Sequence, residues 1–206
     1  DMIDLAQAGD LWRVTLNRPE KANALTAAML QELVEIAEAA QAARAVIITA
    51  NGSVFSAGAD LDEMHAGLAT SPLWERLSRA IAALPGLSIA ALNGTLAGGA
   101  MGMALACDIR LAVPATSFFY PVMKRGFLPQ PSDSQRMQAL IGPARTKLIL
   151  MAGQKLTAQQ ALQYGLIERV VEPGQLLTIA LDFAADIVAA PVEIAHGINA
   201  LCCDRD

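Results

Sequence analysis

Two stretches of the chain carry backbone rather than side-chain chemistry. Phe55-Ser56-Ala57-Gly58-Ala59-Asp60 and Asn93-Gly94-Thr95-Leu96-Ala97-Gly98-Gly99-Ala100-Met101-Gly102 consist largely of Gly, Ala and Ser. Each follows an apolar run that reads as a buried strand, Ala45–Ala50 and Leu87–Leu92, and each leads into a helix start. In open α/β sheets, ligands settle where strand ends meet helix starts. Backbone N–H groups at such a start lack intrahelical partners and favour negative charge, and small side chains let a ligand approach them. Two of these N–H groups, one from each loop, can hold a single oxygen between them, which is an oxyanion hole. The same glycines can instead serve tight turns and close helix–strand packing, and spacing alone leaves both readings open.

Side-chain chemistry is sparse. His65 and His196 are the only histidines, neither has a partnered nucleophile in the sequence, and no Gly-x-Ser-x-Gly elbow is present. Cys107, Cys202 and Cys203 form neither a disulfide framework nor a metal-ligand spacing, which points to a reducing cytoplasm and to no metal. A net charge of −5 gives no overall field for nucleic acid or an anionic membrane surface. The start Asp1-Met2-Ile3-Asp4 lacks the basic and apolar regions of a secretory signal. The 206 residues, 54% hydrophobic and 17% charged, exclude a disordered chain or a coiled coil and fit one domain. Ala80–Cys107 is a run of 28 residues without a formal charge, long enough for a bilayer. It also holds Pro85, Asn93 and five glycines, a poor composition for a single span.

The elements that must position the two loops alternate in type. Met2–Ala6 and Asp10–Leu16 read as a hairpin turning at Gly9-Asp10. Thr26 is placed to cap a helix in which Met29, Leu30, Leu33, Ile36 and Ala37 recur at helical spacing. Asn51–Ala59 reads as a loop, Asp60–Met64 as a helix start, and Ser71–Leu84 as an amphipathic helix that Pro72 begins. After Leu87–Leu92 come a turn at Asn93-Gly94, a short helix Gly99–Ala106, and strands at Cys107–Val113 and Phe118–Tyr120. From Ser132 onward the pattern is mainly helical, with starts at Thr157 and Pro191 and a last short strand at Val170-Val171. The reading is one α/β domain of recurring strand–helix crossovers, residues 1–172, followed by a helical C-terminal part, 173–206.

Three blocks then carry a resemblance. Leu16-Asn17-Arg18-Pro19-Glu20-Lys21-Ala22-Asn23-Ala24-Leu25, Phe55–Met64 and Asn93–Asp108 together resemble the enoyl-CoA hydratase/isomerase (crotonase) superfamily, in family order and at roughly family spacing. Gly153–Ala158 and Ala161–Ile167 resemble a further family segment, so the likeness runs from about Leu16 to Val171. The resemblance implies a crotonase-like spiral of ββα units and an acyl-CoA thioester as substrate. Coenzyme A enters as part of that substrate, and no separate cofactor is implied. It assigns the oxyanion-hole amides to Ala59 and Gly99, where each such donor is worth roughly 3–4 kcal/mol of barrier. It also implies that CoA wraps between Lys21, Ala22 and Ala24 and the loop holding Ala57, Asp60 and Leu61, with Lys21 near a CoA phosphate. Assembly as a homotrimer or dimer of trimers through the last helices is implied too, and the C-terminal part is read as that oligomerisation segment.

The family pattern breaks at its acid–base positions. The residue three after Gly99, where a hydratase carries a catalytic glutamate, is Gly102. The residue after Pro121, where a second glutamate is usual, is Val122. Adding water to an enoyl thioester needs one group to activate water and another to supply a proton, and glycine and valine do neither. Isomerase, decarboxylase or hydrolase chemistry, or a non-catalytic acyl-CoA-binding role, are therefore open alongside hydration. Gln130 stands where other members place a working carboxylate, and it can orient a group but not act as a base. Asp133 is the remaining candidate base, although Pro131-Ser132-Asp133-Ser134 also reads as a capped first helical turn. Tyr120 is a candidate weak acid, or packing. Asp60 reads as a helix cap, and Lys124-Arg125 as a solvated edge able to meet a phosphate.

Overall fold

Alternate residues of three parallel strands feed two different cores. The computed structural model describes residues 1–203. Strands β1 (Ile3–Ala8) and β2 (Leu11–Leu16) form the antiparallel hairpin, and helix α1 (Ala27–Ala39) follows with Thr26 Oγ1 accepting from Met29 N–H at 3.1 Å. Then comes a unit repeated three times. Its first turn is β3 (Ala45–Ala50), β4 (Val54–Ser56), α2 (Leu61–His65) and α3 (Leu73–Ala82). Its second is β5 (Leu87–Leu92), β6 (Thr95–Ala97) and α4 (Met101–Ala106). Its third is β7 (Ile109–Ala112), β8 (Ser117–Phe119), α5 (Val122–Arg125) and α6 (Pro131–Leu150). The chain continues through β9 (Leu156–Thr157), α7 (Ala158–Tyr164), β10 (Arg169–Val170), α8 (Leu176–Ala189) and α9 (Val192–Cys202).

In each repeat the first strand joins a six-stranded sheet, β1-β2-β3-β5-β7-β10, and the second joins a four-stranded sheet, β4-β6-β8-β9. All pairings in the larger sheet except β1–β2 are parallel, and β9 alone runs antiparallel in the smaller one. Two expected loops therefore need correction. Val54–Ser56 and Thr95–Ala97 are strands, each too short and too poor in large side chains to show an alternating pattern. The uncharged run Ala80–Cys107 is likewise partitioned among the end of α3, β5, β6 and α4, and no described helix is long and apolar enough to cross a membrane.

β3 is buried along its whole length, as its β-branched composition requires. Val46 and Ile48 face one core with Leu33, Leu77 and Met103, beneath α1, α3 and α4. Ala45 and Ile47 face the other with Ile89, Leu111, and Leu176, Ala180 and Ala184 of α8. Each large aliphatic side chain removed from water in this way contributes about 1.5–3 kcal/mol. The expected C-terminal part, 173–206, thus supplies α8 as the cover of the larger sheet, and its last three residues lie outside the described range. α6 is interrupted at Gly142 (φ +81°), immediately before Pro143, whose ring and missing N–H prevent a continuous helix.

Asn23 ties the first block of the chain to the first small-residue segment. It is 1% exposed and left-handed (φ +51°). Its Oδ1 accepts from Arg18 N–H at 2.8 Å, and its Nδ2 donates to Asn51 O and Val54 O, both at 2.8 Å. Its carbonyl accepts from Ser56 Oγ at 2.8 Å, while Ala57 N–H donates to Ala22 O. Asn tolerates this backbone conformation better than most residues. We expect Asn23→Ala to cost about 1–3 kcal/mol in urea unfolding, because three part-buried hydrogen bonds to backbone groups are lost. A loss below about 1 kcal/mol would show that this hub carries little of the fold.

Candidate active site

The two small-residue segments meet backbone to backbone. Gly58 (φ +96°) and Gly98 (φ +61°) are both left-handed, and a Cβ added at Gly58 would lie 3.0 Å from Ala97 O and 3.4 Å from Gly98 Cα. Neither a side chain nor an ordinary φ is compatible with that contact. The residues that follow, Ala59 and Gly99, both line one cavity of ≈ 460 Å³. Ala59 pairs with Leu25 in an isolated parallel bridge, in which Leu25 N–H donates to Gly58 O and Asp60 N–H donates to Leu25 O. In such a bridge the flanking groups bond to the partner, so the N–H of Ala59 itself points the other way. Gly99 lies in the single 3-10 turn Gly98–Ala100, at a position whose N–H has no acceptor within the turn. Gly99 must also lack a side chain, since its Cβ would meet the Trp74 ring at 3.0 Å. Trp74 is held by its indole N–H donating to Leu68 O at 2.8 Å.

Most of the residues singled out from the sequence converge on this cavity. Lys21, Ala24, Ala57, Ala59, Asp60, Leu61, Gly99 and Gln130 line it; Ala22 and Asp133 do not. Ala22 stands behind the wall, accepting from Ala57 N–H. Asp60 caps α2 by accepting from Glu63 N–H at 3.2 Å. Its other oxygen accepts from Arg18 Nη1 at 2.9 Å, and this guanidinium, with the Glu63 amide, holds the carboxyl below the usual carboxylate range. Of the adjacent pair Lys124-Arg125, Arg125 reaches the cavity and Lys124 does not. His65 does not line the cavity either, although its helix neighbours Leu61 and Met64 do. Trp74, Met64, Phe127 and Leu128 complete an apolar part of the wall that the motifs had not marked. Trp74 had a usable signal, as a large apolar residue one turn into an amphipathic helix.

Asp133 lies behind the wall, paired with Tyr120 on it. Asp133 is the third residue of α6, yet its carboxylate caps nothing and is 1% exposed. The expected capped turn is therefore not what this side chain makes. Tyr120 lines the cavity, is 5% exposed, and donates its hydroxyl to Asp133 Oδ2 at 2.8 Å. Among the described residues, Asp133 Oδ1 has no hydrogen-bond partner. Burial, with only Tyr120 donating to it and the Glu75 carboxylate nearby, pushes the Asp133 carboxyl up to about 7. Burial and the Asp133 charge likewise push the Tyr120 phenol well above its ordinary value. Burial also works against ionisation of Glu75, but Ser132 donates to it from both hydroxyl and N–H, and its carboxyl sits below the usual range.

Asp133 and Gly102 form a steric pair. A Cβ at Gly102 would lie 2.5 Å from Asp133 Oδ1 and 3.0 Å from its Cγ. The position on α4 that lacks a carboxylate is thus the one against which a carboxylate from α6 is packed. We expect Gly102→Ala to destabilise the protein by about 1–3 kcal/mol in urea unfolding, because the short Asp133 side chain cannot yield without losing Tyr120. Unchanged stability would show that the carboxylate is free to move.

The comparisons with known proteins agree with this geometry. A family model described as enoyl-CoA hydratase/isomerase matches residues 7–201. The chain is 38% identical over 185 residues to YngF of Bacillus subtilis (strain 168), provisionally named an enoyl-CoA hydratase/isomerase, covering 85% of this chain and 71% of that one. It is 33% identical over 218 residues to the short-chain-enoyl-CoA hydratase of Clostridium acetobutylicum, covering 99% and 84% of the two chains. Its fold matches the crystal structure of an enoyl-CoA hydratase from Bacillus anthracis with a TM-score of 0.87 at 30% identity, over 95% of this chain and 80% of that one. Sequence and fold together show that the chain belongs to the enoyl-CoA hydratase/isomerase family of the crotonase superfamily.

Proposed function

We propose that the protein binds an acyl-CoA thioester and moves a proton at the acyl carbon beside it, shifting a double bond rather than adding water. The observation that carries this reading is the combination of two amides facing one cavity with the loss of both usual carboxylates, at Gly102 and Val122. Ala59 and Gly99 N–H groups polarise the thioester carbonyl and stabilise the enolate that forms when the neighbouring carbon loses its proton. A double-bond shift needs one group that takes a proton and returns it, whereas hydration needs two acting on water and carbon. Among the described lining residues the carboxylates are Asp60 and Asp62, and Asp60 is engaged by Arg18 and its helix cap. Lys21 and Arg125, on the same wall, suit the CoA phosphates, while Met64, Trp74, Phe127 and Leu128 suit the acyl chain. Ala24, Ala57, Leu61 and Gln130 shape the channel between them, and Ala22 backs Ala57 by accepting its N–H.

Assembly through copies of the same chain is supported by α9, where Ile194, Ile198 and Leu201 recur on one side and stay exposed. The unbonded cysteines fit a reducing cytoplasm. A second reading, a non-catalytic acyl-CoA-binding homologue, is favoured by one observation: Asp133 does not reach the cavity wall.

A panel of saturated, 2-enoyl, 3-enoyl and malonyl-type CoA thioesters, followed by mass spectrometry and ultraviolet absorbance with calorimetry alongside, separates these readings. We expect micromolar-to-millimolar binding and conversion of 3-enoyl to 2-enoyl thioesters at least about tenfold faster than hydration of the 2-enoyl form. Hydration as the faster reaction would contradict the proposal. Binding without any turnover would establish the non-catalytic reading instead, and no binding at all would sink both.

A further inference from the structure

We propose that Tyr120 and Asp133 form a two-residue proton relay that stands in for the carboxylate missing at Gly102, with Tyr120 touching the substrate and Asp133 holding the proton. The inference rests on the acyl-CoA reading above and names the acid–base group of that site. Four observations place the pair. Tyr120 is on the cavity wall and Asp133 is not, so any exchange of a proton between Asp133 and the cavity runs through the tyrosine hydroxyl. That hydroxyl donates to Asp133 Oδ2 at 2.8 Å and is approached by the Gln130 backbone N–H, which leaves one lone pair of the tyrosine oxygen to take a proton. Among the described residues, Asp133 Oδ1 is buried without a partner, so the carboxylate is poorly stabilised and correspondingly basic. Finally, the carboxylate packs against Gly102, where any side chain would displace it. A buried, half-satisfied carboxylate costs stability, and the site retains it where an asparagine would fit with less penalty.

The step balances without any further reactant. The Tyr120 oxygen takes the proton from the acyl carbon as its own hydroxyl proton passes to Asp133 Oδ2. The electron pair of the broken C–H bond becomes the enolate held by Ala59 and Gly99. Reversal of the two transfers, with the proton delivered to the carbon at the far end of the enolate system, completes the double-bond shift and regenerates both residues. No free tyrosinate forms, which accords with a phenol whose ionisation burial disfavours. The relay requires Asp133 to be ionised before each turnover. Its carboxyl is held near 7 chiefly by burial, raised further by Glu75 on α3, and lowered by the Tyr120 hydroxyl and by Arg136 on its own helix; α4 presents Gly102 and no charge there. The rate must therefore rise with pH through about 7 and level off above it.

The test measures kcat, KM and their pH dependence for 3-enoyl-CoA isomerisation by the wild-type chain, Tyr120→Phe and Asp133→Asn, with melting temperature and CoA-ester affinity recorded for each. The relay predicts a fall in kcat of at least about 100-fold in both variants, with KM within about threefold of wild type. It also predicts that the rising limb near pH 7 disappears in Asp133→Asn. Either variant keeping more than a third of the wild-type kcat, or a limb unchanged in Asp133→Asn, overturns the relay while leaving the acyl-CoA reading in place. Should Asp133→Asn fail to fold, Tyr120→Phe decides alone, since it removes one oxygen and no packing volume. A wild-type chain that binds the thioester but does not turn it over overturns the double-bond-shift reading and the relay together.

Discussion

The contact between Gly58 and Gly98 is the constraint around which the rest of the site is arranged. Two backbones touch closely enough that a Cβ at Gly58 would crowd Ala97 O at 3.0 Å, and both glycines hold a left-handed conformation that only glycine enters cheaply. The contact brings the ends of β4 and β6 together, and the next residue in each segment, Ala59 and Gly99, then lines the same cavity. The larger sheet serves this contact indirectly. Its parallel strands, packed on both faces, hold β3 and β5 side by side in register, so that the short strands after them emerge as neighbours. Asn23 and Arg18 then fasten the preceding block to β4 and Asp60, which keeps the first segment from drifting away from the second.

Within this frame, the positions where the family resemblance places carboxylates are held by Gly102 and Val122. α4, at the end of the second segment, carries Gly102 where the family resemblance places a glutamate, and α6, in the third repeat, carries Asp133. The two positions touch. A carboxylate from α6 thus packs against the place on α4 that the resemblance gives to a glutamate, and it is hydrogen-bonded to Tyr120 on the cavity wall.

The sequence made the larger elements and the two small-residue segments legible for physical reasons, while the choice of Ala59 and Gly99 within those segments came from the family resemblance. β3 and β5 are runs of apolar residues bounded by turn signals, α1 and α3 have clear helical spacing, and the Gly-Ala and Gly-Gly pairs mark the close approach. β4 and β6 were illegible because three residues are too few to display a period of two. Asn23 lay inside a quoted block but gave no hint that its side chain would bridge three backbone groups, since those partners are remote in sequence. Asp133 illustrates the same limit. A Pro-Ser-Asp-Ser segment at a helix start reads as a cap, and only the fold reveals that the carboxylate turns inward to Tyr120 and fills the space that Gly102 leaves.

The central claim, that the Ala59 and Gly99 amides grip a thioester carbonyl, is open to direct observation by isotope-edited infrared spectroscopy of a bound, carbonyl-labelled acetyl-CoA. Two aligned donors weaken the carbonyl bond, so the account predicts a stretching band at distinctly lower frequency in the protein than in water. A band at or above its frequency in water, with the ligand shown to be bound, would contradict it.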